Sequence, residues 1–444
     1  MISNDSPLDH VTPYDRFVWS DMQIEQALAS GAQQRELEAY FGAAEYRGLA
    51  ALARRAHAAP VAQPDLRVLV VPGIMGSQLG LPRPPPLPHD VVWIDPIDIH
   101  RGRLTSLRMP AGAPIVSLGV VLFSYLRLKL NLRAHGFTAD FHDYDWRLPV
   151  AESGRVLAER LRMLQPARVA LVAHSMGGLV SRAALTLPGT GHVERLVLLG
   201  TPNSGSFAAV QALRGTYAVV RKLARLAESA SAETLAAEIF NTFPSLYDLL
   251  PGEDQSPRNR GRGTDLFDER AWPSSGPQPR PALLQSARDA HRRLAPADER
   301  FSVIAGVGQE TVTAITRRRE DFVYTLTRHG DGTVPVASAR LEGARSAYAH
   351  VAHSNLTRDP VVAAAVADLI RHGTTARLPG KWVSTSRACT QVSDALLRRS
   401  HAGKVDWGAL TPEQRRLFLQ NLNEPPRFKL RVPAARRRAP RRHR

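Results

Sequence analysis

The sequence predicts an α/β fold: a mostly parallel central sheet covered by helices on both faces, with an inserted helical cap and a helical N-terminal extension. Three observations carry that expectation. From about residue 117 to Gly200, short apolar runs rich in β-branched residues alternate with helical spacing, which calls for right-handed crossovers between parallel strands. From about 205 to 300 the strand signals stop and amphipathic helices replace them. In "ARVALVAHSMGGLVSRAALTLPG", Ala167–Gly189, a buried strand becomes a helix within a few residues, and small side chains flank one serine.

Taken in order, residues 1–60 read as helical, because "DMQIEQALASG" and "QRELEAYFGAAEYRGLAALARRA" repeat apolar side chains every three or four positions. "AAPVAQPD" is a linker, and "LRVLVV" (66–71) is the first strand. "LPRPPPLP" is too rich in proline for a helix or a central strand and reads as an exposed loop. "VVLFSYLRLKLNLRAHG" is a helix closed by Gly136, and "FTADFHDYDW" a strand. Helix "ESGRVLAERLRML", strand "RVALVA", helix "MGGLVSRAALTL" and strand "ERLVLLG" follow. Beyond the helical stretch, strands resume in "RFSVIAGVG" and "DFVYTLTRH". "PVVAAAVADLIRHG" is a final helix with Asp359 as N-cap and Pro360 at its first position. Past 375 the pattern is less regular, with one clear helix start in "TPEQRRLFLQNL". The expected organisation is a helical extension (1–60), a catalytic domain (65–375) with a helical cap inserted at 205–300, a C-terminal extension (376–430) and a basic tail (431–444).

Composition narrows the function classes. Hydrophobic content of 43% and charged content of 22% over 444 residues are those of an ordinary globular protein. A single cysteine, Cys389, excludes an intramolecular disulfide framework and a cysteine-rich zinc site. No metal or organic cofactor is expected. The N-terminus has neither a basic n-region nor an apolar h-region, and no apolar run is long enough to span a bilayer, so a cytoplasmic setting is expected. Of the net charge of +17, the tail Arg431–Arg444 contributes seven arginines and no acid. It is expected to be disordered, and two readings of it stay open: peripheral contact with an anionic membrane, and a solvated tail. The chain shows no helix-turn-helix, zinc-finger or aromatic RNA-binding signature, which argues against nucleic acid as a partner.

The chemistry-bearing residues start from Ser175. In A-x-S-x-G, Ala173 and Gly177 leave room for a very tight strand-to-helix turn that projects the serine oxygen away from the backbone. A serine nucleophile needs a base, and the base needs a carboxylate. The acid candidate is Asp331 in "TRHGDGTVPVAS", between two glycines after an apparent strand. The base candidate is His353 in "AYAHVAHSNLTRDP", preferred over His350 because it lies in the loop before the last helix. His174, adjacent to the serine, cannot fold back onto it and is expected to pack or hydrogen-bond near the turn. Two backbone donors should hold the oxyanion: Met176 N–H just after the serine, and Ile74 N–H from the loop "VPGIMGS". Trp146 and Arg147 in "HDYDWRLP" are candidate substrate-binding residues, with an Asp–Arg pair bracing the loop as the competing reading.

These segments together resemble the lecithin:cholesterol acyltransferase family of α/β-hydrolases, which includes the lysosomal phospholipase and the phospholipid:diacylglycerol acyltransferases. The resembling pieces are "VPGIMGSQL", "VVWIDP", "DYDWRLP", "AHSMGGLVSR", "LGTPNSGS", "FPSLYDLLP", "GDGTVP" and "HSNL", spread over about residues 68–370. The resemblance implies an α/β-hydrolase core with a cap and lid. It also implies Ser175 as nucleophile, Asp331 as acid, His353 as base, and Ile74 and Met176 as oxyanion donors. The family cleaves an acyl ester, often of a glycerophospholipid, and passes the acyl group to water or an alcohol. Secreted members close their lid with a disulfide, which one cysteine cannot form, and "LPRPPPLPHD" occupies that place. The expected function is therefore a serine acyl-ester hydrolase or acyltransferase acting on an ester or lipid. The alternative is a catalytically retired relative that serves as a binding or scaffold protein for an anionic surface or partner.

Overall fold

The structure, a computed structural model, describes residues 20–422 apart from 86, 111, 113, 253–263, 385–387, 400–402 and 421. The expected basic tail, and residues 1–19 of the expected N-terminal extension, lie outside the described residues.

The chain begins with helices α1 (Asp21–Ser30), α2 (Gln34–Phe41) and α3 (Ala43–Ala58), then β1 (Leu66–Val71). Strands β2 (Ser77–Leu81), β3 (Asp90–Trp93) and β4 (Val116–Val120) follow, with short α4 (Pro96–His100) between the last two. Alternation runs through α5 (Leu122–Ala134), β5 (Thr138–Phe141), α6 (Val150–Met163), β6 (Arg168–His174), α7 (Met176–Ala184) and β7 (Val193–Leu199). Next come α8 (Phe207–Leu213), α9 (Ala218–Leu226), α10 (Ala232–Glu238), α11 (Pro244–Asp248) and α12 (Pro281–Ala287). The chain returns with β8 (Phe301–Gly306), β9 (Thr311–Arg318), β10 (Asp321–Thr327), α13 (Val336–Ala339), β11 (Arg345–Ala349) and α14 (Pro360–His372). β12 (Cys389–Ser393), α15 (Asp394–Arg399) and α16 (Pro412–Gln420) complete it.

Six strands form the central sheet in the order β11-β8-β7-β6-β1-β5, every pair parallel. Such strands are covered on both faces, which is why they read as continuous apolar runs. Period-two alternation decides which side chain goes where. Leu66, Val68 and Val70 of β1 pack with Leu128 and Leu132 of α5 and Val362 and Val366 of α14. Leu69 and Val71 join the opposite layer with Leu157 and Leu161 of α6 and Leu179 of α7. This is a doubly wound α/β architecture, with ligand sites expected at the carboxyl edge of the strands.

Helix α5 carries apolar side chains on two faces because it is buried on both. Its Leu122, Leu126 and Leu130 pack against Ile24 and Leu28 of α1 and Leu49 and Leu52 of α3, so the N-terminal helices form an outer layer. Lys129, on the same helix, is fully buried, with Nζ 2.9 Å from Glu25 Oε1 and paired also with Asp21. Both expected helix starts are capped: Asp359 accepts from Val361 and Val362 N–H in α14, and Thr411 and Gln414 form a reciprocal capping box at α16.

The structure departs from the sequence reading outside the parallel sheet. Two small antiparallel sheets, β3-β2-β4 and β12-β10-β9, accompany it. "DFVYTLTRH" does not continue the central alternation: β10 pairs antiparallel with β9 and β12. Phe322 and Tyr324 point inward while their neighbours are part-exposed, the pattern of a sheet with one wet face. Edge strand β11 supplies the last parallel position instead. Among the described residues no helix is long and apolar enough to cross a membrane.

Candidate active site

Ser175 is the single residue between β6 and α7, and it adopts φ 54°, ψ −129°. A side chain with a β-carbon resists that conformation, so the surroundings must impose it. They do so by close approach: a β-carbon on Gly177 would sit 2.4 Å from the Pro72 carbonyl oxygen, and one on Gly73 would sit 2.7 Å from Ser175 Cβ. Ser175 N–H donates to Leu199 O at 2.8 Å, fixing the turn to the end of β7. Met176 is the first residue of α7, so its N–H has no acceptor within the helix.

Asp331 lies in a tight loop closed by a bridge between Gly330 and Pro335. Its Oδ1 accepts the N–H groups of Thr333 (2.9 Å) and Val334 (2.7 Å), which leaves Oδ2 to face His353 Nδ1 at 2.7 Å. Backbone contact doubles the link, since His353 N–H donates to Asp331 O at 2.9 Å. Asp331 is 1% exposed and His353 6%. A buried carboxylate on Nδ1 keeps the hydrogen there and leaves Nε2 with a free lone pair.

Ser175, His353 and Ile74 line one cavity of about 90 Å³. Its walls are largely apolar and include Phe123 from α5, Leu246 and Leu249 from the α11 region, and Leu419 and Leu422 from α16 and just beyond it. The structure thus brings the serine, the histidine with its aspartate, and the Gly73–Gly76 loop to one place. His350, the competing histidine, lines a separate polar pocket.

Trp146 and Arg147 are placed elsewhere. Trp146 is buried, donates Nε1–H to Ser77 O at 3.1 Å and stacks edge-on against Trp93 and Phe243. Arg147 forms a two-pronged pair with Asp145 and donates to Leu107 O at 2.9 Å. Neither lines the cavity beside Ser175. Their side-chain N–H groups go instead to Ser77, Asp145 and Leu107.

Sequence reasoning missed Tyr125 and the two leucines near α16. Tyr125 Oη accepts from Gly73 N–H at 2.9 Å and lies 3.0 Å from His174 Nδ1. The one available signal was a tyrosine on the inner face of a leucine-rich helix, since a buried phenol needs a partner. Burial pushes that phenol well up, and burial beside His353 holds the His174 imidazole well below its ordinary value.

Against known proteins, the family described as "PGAP1-like alpha/beta domain" matches residues 129–240. No curated protein matches the chain in sequence. Among solved structures, the mature form of the Bacillus licheniformis lipase BlEst2 is similar at 16% identity over 70% of this chain and 92% of that one, with a TM-score of 0.36. A Tle4–Tli4 complex aligns at 14% identity over 69% of this chain and 98% of that one, with a TM-score of 0.44. Phospholipase PlaB from Legionella pneumophila aligns at 13% identity over 62% and 45%, with a TM-score of 0.28.

Proposed function

We propose that this protein is a serine-dependent acyl-ester hydrolase or acyltransferase of the lipase, esterase or phospholipase type. The observation that carries the reading is Ser175, held at φ 54° on a strand-to-helix turn, sharing a cavity with a histidine whose Nδ1 is bonded to a buried carboxylate. Ser175 Oγ attacks the ester carbonyl carbon while its proton passes to His353 Nε2. The carbonyl electron pair moves onto oxygen, where the N–H groups of Met176 and Ile74 receive it. Collapse of that intermediate expels the alcohol, which takes the proton from His353 and leaves an acyl-serine. Water or a second alcohol then gives its proton to His353 as its oxygen attacks the acyl carbon; the acyl–Oγ bond breaks, Ser175 Oγ takes the proton back from His353, and the acid or new ester leaves. Asp331 holds the ring in the required tautomer and stabilises the imidazolium.

The apolar walls support an apolar acyl portion, and the resemblance to the lecithin:cholesterol acyltransferase family supports a lipid ester. Residues 65–375 act as the catalytic domain and the helices within 205–300 as its cap, a reading supported by Ala209, Ala212, Leu246 and Leu249, which line the cavity. Trp146 and Arg147 take the bracing role.

The test is covalent labelling with a fluorophosphonate, followed by turnover of short p-nitrophenyl esters. Wild type is labelled at Ser175, and Ser175→Ala loses ~10⁴-fold or more in kcat. Equal turnover by Ser175→Ala overturns the reading. Adding a long-chain alcohol beside a labelled ester and counting acid against new ester separates hydrolase from acyltransferase.

A further inference from the structure

We infer that Tyr125 and His174 are positioning residues that tie the oxyanion loop to the base-bearing loop through one directional hydrogen-bond chain. This inference rests on the serine-hydrolase reading above and deepens it. Four groups lie in sequence: Gly73 N–H to Tyr125 Oη at 2.9 Å, Tyr125 Oη to His174 Nδ1 at 3.0 Å, and His174 Nε2 to the His353 carbonyl oxygen at 3.1 Å.

The directions follow from chemistry. A carbonyl oxygen only accepts, so His174 Nε2 carries the hydrogen. His174 is buried, its ring centroid is 4.7 Å from that of His353, and no carboxylate faces it along this chain, so it stays uncharged. Its Nδ1 then has only a lone pair, and the Tyr125 hydroxyl must donate to it. A lone pair of Tyr125 Oη takes the Gly73 N–H. Every hydrogen along the chain thus has an acceptor, and the His353 carbonyl, which also accepts Leu356 N–H at 3.3 Å, has a lone pair for each of its two donors.

The consequence is mechanical. His353 is gripped at three points: its ring by Asp331 Oδ2, its N–H by Asp331 O, and its carbonyl by His174. The last grip reaches back, through Tyr125 on α5, to the residue preceding Ile74. His174 is also the neighbour of Ser175 along β6. Nucleophile, base and oxyanion loop therefore share one hydrogen-bonded spacer, although Tyr125 and His174 transfer no proton. A site displaced by ~1 Å can lose 10²-fold in rate.

The experiment compares Tyr125→Phe, His174→Gln and His174→Leu with wild type in the full chain. Gln can accept from Tyr125 and donate to the His353 carbonyl, whereas Leu can do neither. Tyr125→Phe is expected to lower kcat by ~10–100-fold with KM within ~2-fold of wild type. His174→Leu should match that loss, and His174→Gln should recover most of it. Ring-nitrogen NMR of histidine-labelled wild type should find His174 in the neutral Nε2–H tautomer at about pH 6.5, where a free imidazole is half protonated. If Tyr125→Phe fails to fold, the Gln–Leu comparison and the tautomer still decide. Equal kcat for His174→Leu and wild type, or a His174 that protonates above pH 6, overturns the inference while Ser175 labelling stands. Absence of labelling in wild type removes the hydrolase reading, and this inference with it.

Discussion

One oxygen of Asp331 is occupied by the N–H groups of Thr333 and Val334, and the other lies 2.7 Å from His353 Nδ1. The carboxylate is therefore oriented before any ligand arrives, and its only remaining job is toward the ring. Asp331→Asn keeps the turn but presents an amide that stabilises the wrong tautomer. The expected loss is ~10⁴-fold in kcat, measured with a short p-nitrophenyl ester. A loss under tenfold would mean that another group orients His353.

The serine turn leaves no room at Gly177, whose added β-carbon would meet the Pro72 carbonyl at 2.4 Å. Backbone cannot swing aside as a side chain can. Gly177→Ala is expected to cost at least ~1–3 kcal/mol by urea unfolding, the usual penalty of overpacking. Unchanged stability would show that the β1 loop can retreat.

Much of this was legible in the sequence. The four inner parallel strands, β1, β6, β7 and β8, are largely apolar runs of six or seven residues, and the small residues around Ser175 have one mechanical explanation. The serine, aspartate and histidine that cluster in space were each readable from a local glycine or loop context. What stayed hidden depends on long-range partners. β9 ends in "TRR" and looks like a surface segment until β10 pairs with it. Tyr125 sits among leucines and is set apart by a hydroxyl whose partners lie 52 and 49 residues away. Trp146 seemed available for ligand because nothing local revealed that Ser77 would take its N–H.

Leu419 and Leu422 come from the α16 region yet form part of the wall beside Ser175. The cavity's 90 Å³ is small against the roughly 300–1,000 Å³ of typical ligand pockets, so these side chains limit what fits. Leu419→Ala with Leu422→Ala is expected to raise kcat/KM for decanoyl or longer esters relative to butyryl esters. A panel of p-nitrophenyl esters measures the ratio, and a ratio that stays flat would put the acyl group elsewhere.

Acid should destabilise the fold through His142. Burial pushes its imidazole down from 6.5 to about 4. The unfolded chain thus binds this proton at a higher pH than the folded one, so protonation favours unfolding. The contribution is full above about pH 6.5 and is lost as pH falls toward 4, amounting to about 3 kcal/mol at 1.36 kcal/mol per pH unit. Urea midpoints between pH 7.5 and 4 should fall less steeply in His142→Phe than in wild type.

Arg214 and Asp394 are both fully buried and paired at 2.9 Å, with Tyr324 also donating to the carboxylate. Asp394→Ala leaves a guanidinium without its counter-charge and is expected to cost about 3–5 kcal/mol. Calorimetry checks this, and replacing both partners with apolar residues should cost less than replacing one.

Lys129 gives the N-terminal helices a significance beyond coverage. Its ammonium group is neutralised by Glu25 and Asp21, on a helix that four residues earlier presents the Tyr125 hydroxyl to the reactive loop. Trimming the chain ahead of β1 would remove two of the carboxylates that pair with Lys129 and strip the outer side of that same helix. A minimal fragment starting at residue 65 would thus be compromised at its chemistry as well as its solubility, even though every reacting atom is still in it.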